Sequence, residues 1–228
     1  MRFNMQELPL AQRYKLITST ITPRPIAWVT SLSAPDESGA QVVNAAPYSF
    51  FNAVGVEPPL VVLGLLKDMR TRALKDTARN VLANGEFVVN LVSEHDAAAM
   101  NLTSVDAPAD VSEVDYAGLE TLPSSMVKPP RIATAPVAFE CRKVVALDIG
   151  TLQTVLIGEI LVTHVADDFI ADVDKLYLDT PAMKLIGRTH GAGWYVRNSD
   201  SFAMERPRFD PELATQAGAT LAGPALPR

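Results

Sequence analysis

The chain has 228 residues with 20 Lys+Arg against 26 Asp+Glu, a formal net charge of −6, which argues against a basic nucleic-acid reader. With 48% hydrophobic and 20% charged residues it is not disordered throughout. Its single cysteine, Cys141, excludes an intrachain disulfide and a multi-thiolate metal site, and fits a reducing, cytoplasmic compartment.

The first fifteen residues include Glu7 and lack the apolar stretch of a secretory signal, and the most apolar later run, Leu60 to Leu66, is too short for a bilayer span. No membrane association is expected. Residues 26–32 (IAWVTSL) and 41–47 (QVVNAAP) read as two strands of a hairpin, with Ala34 to Gly39 as the turn. Leu60 to Leu66 follows Pro58-Pro59 and is apolar on both alternating faces, the pattern of a strand covered on both sides. Between Asp68 and Asn84, Leu74, Ala78, Val81 and Leu82 recur at the helical period, with Arg72, Lys75, Asp76 and Arg79 on the opposite side. Asp68 and Asp76 both qualify as its N-cap.

After Gly85, EFVVNLV reads as a strand and EHDAAAMNL as a short helix. Residues 103–135 are punctuated by proline and lack periodicity, so a long connection or lid is expected there. Val137 to Leu147 and Thr154 to Val165 form a strand pair around Gly150, apolar on both faces, which predicts a place inside a barrel wall with protein on each side. The whole predicts a mainly β chain with short helices, an antiparallel barrel rather than a doubly wound sheet. Residues 1–206 read as a single domain, and 207–228 as a Pro/Ala/Gly-rich tail, mobile or lying against a partner.

GxSxG, P-loop, GxGxxG and HExxH motifs are all missing. His95, His164 and His190 are too scattered for a zinc site, so no metal is expected, and His95 and His164 read as structural. Taken alone, Trp28, Tyr48, Phe50 and Phe51 read as core aromatics, Asn44 as a turn residue, and Lys75 and Arg79 as a solvated helix face.

A series of segments changes the weight of those readings: TITPRPIAWVTS at 20–31, NAAPYSFFNA at 44–53, EPPLVVLG at 57–64, KDTARN at 75–80 and GEFVVNL at 85–91. In this order and spacing they resemble the flavin reductase-like family, and GRTHGAGWYVR at 187–197 is similar to its late glycine-rich stretch. The resemblance implies an FMN-binding split barrel of Greek-key topology, a homodimer with flavin near the subunit interface, and NADH or NADPH as hydride donor to flavin N5. FAD is a possible alternative flavin.

The resemblance also implies site residues. Trp28 contributes to an aromatic wall; the strand backbone near Thr30 and Ser31 and an Asn44-Ala45-Ala46 turn contact the ring and ribityl chain, with Ser49 and Phe50 closing over it. Lys75 and Thr77 at a helix start receive the phosphate, with Arg70 and Arg72 in reach and Arg24 a further cation. Arg188 and His190 are weaker expectations for the mouth of the site or for a contribution from the partner subunit. The activities implied are reduction of flavin for a separate monooxygenase, reduction of a nitroaromatic or quinone-like compound on retained FMN, or electron carriage of the flavoredoxin type.

Overall fold

The computed structural model describes residues 1–209, so the expected tail lies outside the described residues from position 210 onward. The chain begins with a helix, α1 (Leu10–Thr20), which the sequence reading did not anticipate. Its start has no side-chain cap and Pro9 at the N-cap position, so the usual start signal is missing.

Seven strands then build one antiparallel sheet: β1 (Ala27–Leu32), β2 (Val43–Tyr48), β3 (Phe51–Val56), β4 (Pro59–Leu66), β5 (Glu86–Leu91), β6 (Val137–Ile149) and β7 (Gln153–Val165). Their order is β2-β1-β5-β6-β7-β4-β3, so β2 and β3 are free edges and the barrel is split rather than closed. Register irregularities at Ile157/Gly158 and Ile160/Val162 in β7, and at Ala53/Gly55 in β3, supply the bends that curl such a sheet.

Inside the curl, Ala27, Val29, Val61, Leu63, Leu65, Phe87, Val89, Cys141 and Leu156 form the main core. Helix α2 (Asp76–Asn84) closes it with Ala78 and Val81, and ends on Gly85 in the left-handed conformation (φ 77°), as a C-terminal glycine does. Gly158 makes room for the buried Phe87: a Cβ at Gly158 would lie 2.5 Å from Phe87 Cζ. The opposite face of β1 is buried as well. Trp28 packs there with Ile26, Val92, Met100, Ile132 and Ile186, under helix α3 (Ala97–Leu102) and the segment that follows.

The hairpin of β1 and β2 and the strands β4 and β5 agree with the sequence reading. Three expectations are corrected. Neither Asp68 nor Asp76 caps α2: the Asp68 Oδ1 accepts from the N–H groups of Arg70 and Thr71 and closes a turn before the helix, Lys75 takes the N-cap position, and Asp76 is the first helical residue. Asn44, Ala45 and Ala46 lie in the middle of β2, paired with Ser31, Thr30 and Val29, and form no turn. The β6–β7 hairpin is covered only along its base: Val144, Leu147 and Ile149 are about half exposed, because β5 pairs with β6 no further than Arg142.

The long connection holds helix α4 (Glu113–Tyr116) and two two-residue strands, Thr121–Leu122 and Arg131–Ile132. It is fastened by Glu140 of β6, a fully buried carboxylate that accepts from the N–H groups of Ser125, Met126 and Val127, the Ser125 hydroxyl and the His164 ring. Burial alone would push this carboxyl up, but those donors outweigh it and hold it at about 2. A small sheet of Arg24–Pro25, Ile186–Arg188 and Tyr195–Arg197 and a two-stranded one of Ile170–Asp172 and Tyr177–Leu178 complete the described fold. Among the described residues, no helix is long and apolar enough to cross a membrane.

Candidate functional site

Strand β2 is an edge, and its outward polar groups set up the site. Because antiparallel residues alternate between bonded and open sides, Val43, Ala45 and Pro47 turn their backbone groups away from β1. Pro47 has no N–H to leave unpaired, which suits a proline on a free edge. The Val43 carbonyl accepts from Ser112 Oγ at 2.8 Å, and the Ala45 N–H donates to Glu113 Oε2 at 3.2 Å. Glu113 also accepts from Asn44 Nδ2 at 2.9 Å, so α4 caps the edge over its first half. Beyond Ala46 the edge is open.

Behind that edge lies a buried polar network. Asn44 Oδ1 accepts from Thr77 Oγ1 at 2.7 Å and from Ser31 Oγ at 3.3 Å, and Ser31 Oγ accepts from Asn80 Nδ2 at 3.1 Å. These groups join β1, β2 and the first turns of α2, and they fix where α2 starts. Burial raises the Glu113 carboxyl, with the nearby charge of Asp76 adding to it, while the N–H donors of Ala45 and Asn44 pull the other way. Burial likewise pushes the Tyr48 phenol up to about 12, so it stays protonated at neutral pH.

Two adjoining cavities open along the free half of β2. One, of about 160 Å³, runs between Ala46, Pro47 and Tyr48 on one side and Thr103 to Ala107 on the other, with Lys75 and Thr77 at its end. The other, of about 210 Å³, is lined by Tyr14, Ser49, Phe50, Gly64 and Leu66 and shares Pro47, Tyr48 and Lys75 with the first. Lys75 is the N-cap residue of α2. The first intrahelical bond runs from the Arg79 N–H to the Lys75 carbonyl, which leaves the N–H groups of Asp76, Thr77 and Ala78 without helical partners. Lys75 Nζ meets Asp106 at 2.7 Å, in a pair whose side chains are 44% and 84% exposed. Such a pair is held weakly and gives way to a stronger anion. A cation and a helix start at one end, with proline and aromatic surface at the other, fit a flat ring carrying an anionic tail.

Of the residues expected from sequence, the structure brings Ala46, Ser49, Phe50, Lys75 and Thr77 to these cavities, with Asn44 at the rim. It does not bring the others. Trp28, Thr30, Ser31 and Ala45 are fully buried; Trp28 Nε1 donates to Thr103 Oγ1 at 2.9 Å, and Thr30 Oγ1 to the Pro130 carbonyl at 2.6 Å. Thr77 is buried too and spends its hydroxyl on Asn44.

Arg24 is buried and acts as a clasp. Nη1 donates to the Thr18 and Ile21 carbonyls, Nη2 to the Thr189 carbonyl and Nε to Ser49 Oγ, and burial draws the guanidinium below its ordinary value. Arg70 is exposed in the turn closed by Asp68, and Arg79 pairs with Asp76 on the α2 surface. Arg188 lies 4.8 Å over the Tyr195 ring, and His190 stacks on Trp194 at 5.8 Å; neither lines these cavities. Sequence reasoning missed Tyr14, Gly64 and Glu113. Only Glu113 had a local signal, the helix-capping Ser112 before it. Among the described residues, no three metal-ligating side chains cluster.

The chain is similar to known proteins in sequence and in fold. The family described as "Flavin reductase like domain" matches residues 19–180. A protein of Deinococcus radiodurans is 41% identical over 204 residues, covering 90% of this chain and 88% of that one. Among solved structures, the 2-nitrobenzoate 2-nitroreductase of Pseudomonas fluorescens is 34% identical with a TM-score of 0.80, covering 92% of this chain and 98% of that one. Nitrilotriacetate monooxygenase component B of Bacillus cereus is 32% identical with a TM-score of 0.81, covering 90% and 98%. A flavoredoxin of Methanosarcina acetivorans shares the fold at 18% identity and a TM-score of 0.67, covering 82% and 90%.

Proposed function

The chain belongs to the flavin reductase-like family, and from that premise we propose that it binds FMN in the cleft along β2 and reduces it with NADH or NADPH. The observation that carries the reading is the pairing, around one cleft, of Lys75 and the start of α2 at Asp76 and Thr77 with the Pro47 to Phe50 surface. Bound flavin would supply a two-electron redox centre for hydride chemistry. The chain's own part is binding and alignment. Lys75 and the amides of Asp76, Thr77 and Ala78 hold the phosphate, with Ser49 as a hydroxyl donor nearby. The outward carbonyl of Pro47 is available to accept from a ring N–H, and Phe50 excludes water from one side.

The domain boundary is proposed as 1–206. A second copy of the chain is proposed to cover the apolar side chains left exposed on the sheet, Val54, Val56, Leu147 and Ile149. Likeness to the monooxygenase component supports delivery of reduced flavin to a separate oxygenase. Likeness to the nitroreductase favours a second reading, in which FMN stays bound and reduces a nitroaromatic compound.

One anaerobic experiment separates them: load the protein with FMN, add NADH or NADPH, follow flavin absorbance, and test by ultrafiltration whether reduced flavin leaves. Bleaching with release supports the flavin reductase. Bleaching with retention, followed by reoxidation on adding a nitrobenzoate, supports the second reading. Absence of bleaching by either nucleotide refutes both.

A further inference from the structure

The geometry points to Tyr14, on a helix outside the family-matched stretch, as a flavin-site residue that forms with Phe50 the aromatic wall for the ring. The inference rests on the FMN reading above. Tyr14 lies on α1, before the matched residues 19–180 begin. It belongs to none of the buried clusters, is 49% exposed, and lines the same cavity as Phe50 and Lys75. The two ring centroids are 6.1 Å apart and the planes are tilted by 50°. Two rings at that angle present a face and an edge to a third flat ring, which can stack on one and meet the other edge-on.

Both rings are held in place by contacts from the surrounding fold. The Gly64 N–H donates to the Phe50 carbonyl at 2.7 Å, and a Cβ at Gly64 would come within 2.9 Å of Phe50 Cβ, so the missing side chain is what lets Phe50 lie there. Arg24 fastens the end of α1 through the Thr18 and Ile21 carbonyls, at 2.7 and 2.6 Å, and reaches Ser49 Oγ at 3.3 Å. One buried guanidinium therefore fixes the helix that carries Tyr14 and the β2–β3 turn that carries Ser49 and Phe50. Arg24 is a positioning residue in this account, and Lys75 at the other side of the cavity receives the anionic tail.

A rival explanation is that Tyr14 belongs to an apolar stripe on α1 with Leu10, Ile17 and Ile21, all partly exposed, that meets a second copy of the chain. The test titrates FMN and riboflavin into the full chain and its Tyr14→Ala, Tyr14→Leu, Tyr14→Phe and Ile17→Ala variants. It reads affinity, the fluorescence of bound flavin, and oligomeric state by sedimentation. Loss of the ring in Tyr14→Ala or Tyr14→Leu weakens FMN and riboflavin alike, on the order of fivefold, and brightens bound flavin because the stacked quencher is gone. Tyr14→Phe keeps the stacking surface and wild-type affinity but brightens bound flavin, because a phenyl ring lacks the electron-donating phenol, and Ile17→Ala leaves affinity, brightness and oligomeric state at wild-type values. Wild-type affinity and brightness in Tyr14→Leu overturn the inference, as does equal weakening by Tyr14→Leu and Ile17→Ala with dissociation of the assembly. Failure of the unmodified chain to bind either flavin overturns the FMN reading itself.

Discussion

Replacing Lys75 by alanine isolates the phosphate end of the cleft. In the free protein this ammonium holds only Asp106, at 2.7 Å in a largely exposed pair worth roughly 0.5 kcal/mol, so its removal leaves the fold intact. A charge-assisted contact to a phosphate beside three open helix amides contributes about 1.5–3 kcal/mol. Subtracting the lost Asp106 pair leaves about 1–2.5 kcal/mol, a weakening of FMN by about 5- to 70-fold. Riboflavin lacks the phosphate, and its affinity stays within about twofold. Asp106→Asn works in the opposite sense: it removes the competing carboxylate and tightens FMN by about twofold. Thr77 is left unchanged because its hydroxyl belongs to the buried Asn44 network. The assay is fluorescence titration of each variant with both flavins at two salt concentrations. Equal weakening of FMN and riboflavin by Lys75→Ala would refute the placement of the phosphate.

Two further outcomes test the frame that shapes the cleft. Glu140→Gln puts a nitrogen where one of the carboxylate oxygens accepts from the Ser125 to Val127 loop, and is expected to cost on the order of 2–3 kcal/mol in urea unfolding at pH 7. The Glu140 carboxyl is held at about 2 against an ordinary 4.5, so its stabilisation is fully present above pH 4.5 and is lost as pH falls towards 2. The wild type therefore loses stability across that window more steeply than the Gln variant, and parallel pH profiles would argue against the clasp. Gly158→Ala places a Cβ 2.5 Å from Phe87 Cζ in the closed core, an overpacking of about 1–3 kcal/mol that lowers the melting temperature by roughly 2–12 °C. An unchanged melting curve would mean that the core relaxes around the methyl group.

Local pattern made much of the fold legible. The β1–β2 hairpin, β4, β5 and α2 follow from alternation, helical period and the punctuation of Pro58-Pro59 and Gly85. Helix α1 was not legible, because its start carries no capping side chain and several of its apolar residues face outward. Exposure of the outer β6–β7 hairpin was hidden for a different reason: apolar residues on both faces of a strand look the same whether the same sheet or something else covers them.

For the cleft, the residue order supplies the chemical ingredients: Lys75 before a helix, Ser49 and Phe50 after a strand, and Asn44 and Thr77 in segments that resemble the family. How they divide is settled by packing. Hydrogen bonding withdraws Ser31, Asn44 and Thr77 into a buried network and turns Arg24 into a clasp, leaving Lys75 and Phe50 to face the cavities. Sequence fixes which donors and acceptors a chain carries, whereas burial and distance decide which are spent inside the fold. Tyr14 and Gly64 meet Phe50 from a helix well before it in the chain and a strand after it, a convergence that no local spacing encodes.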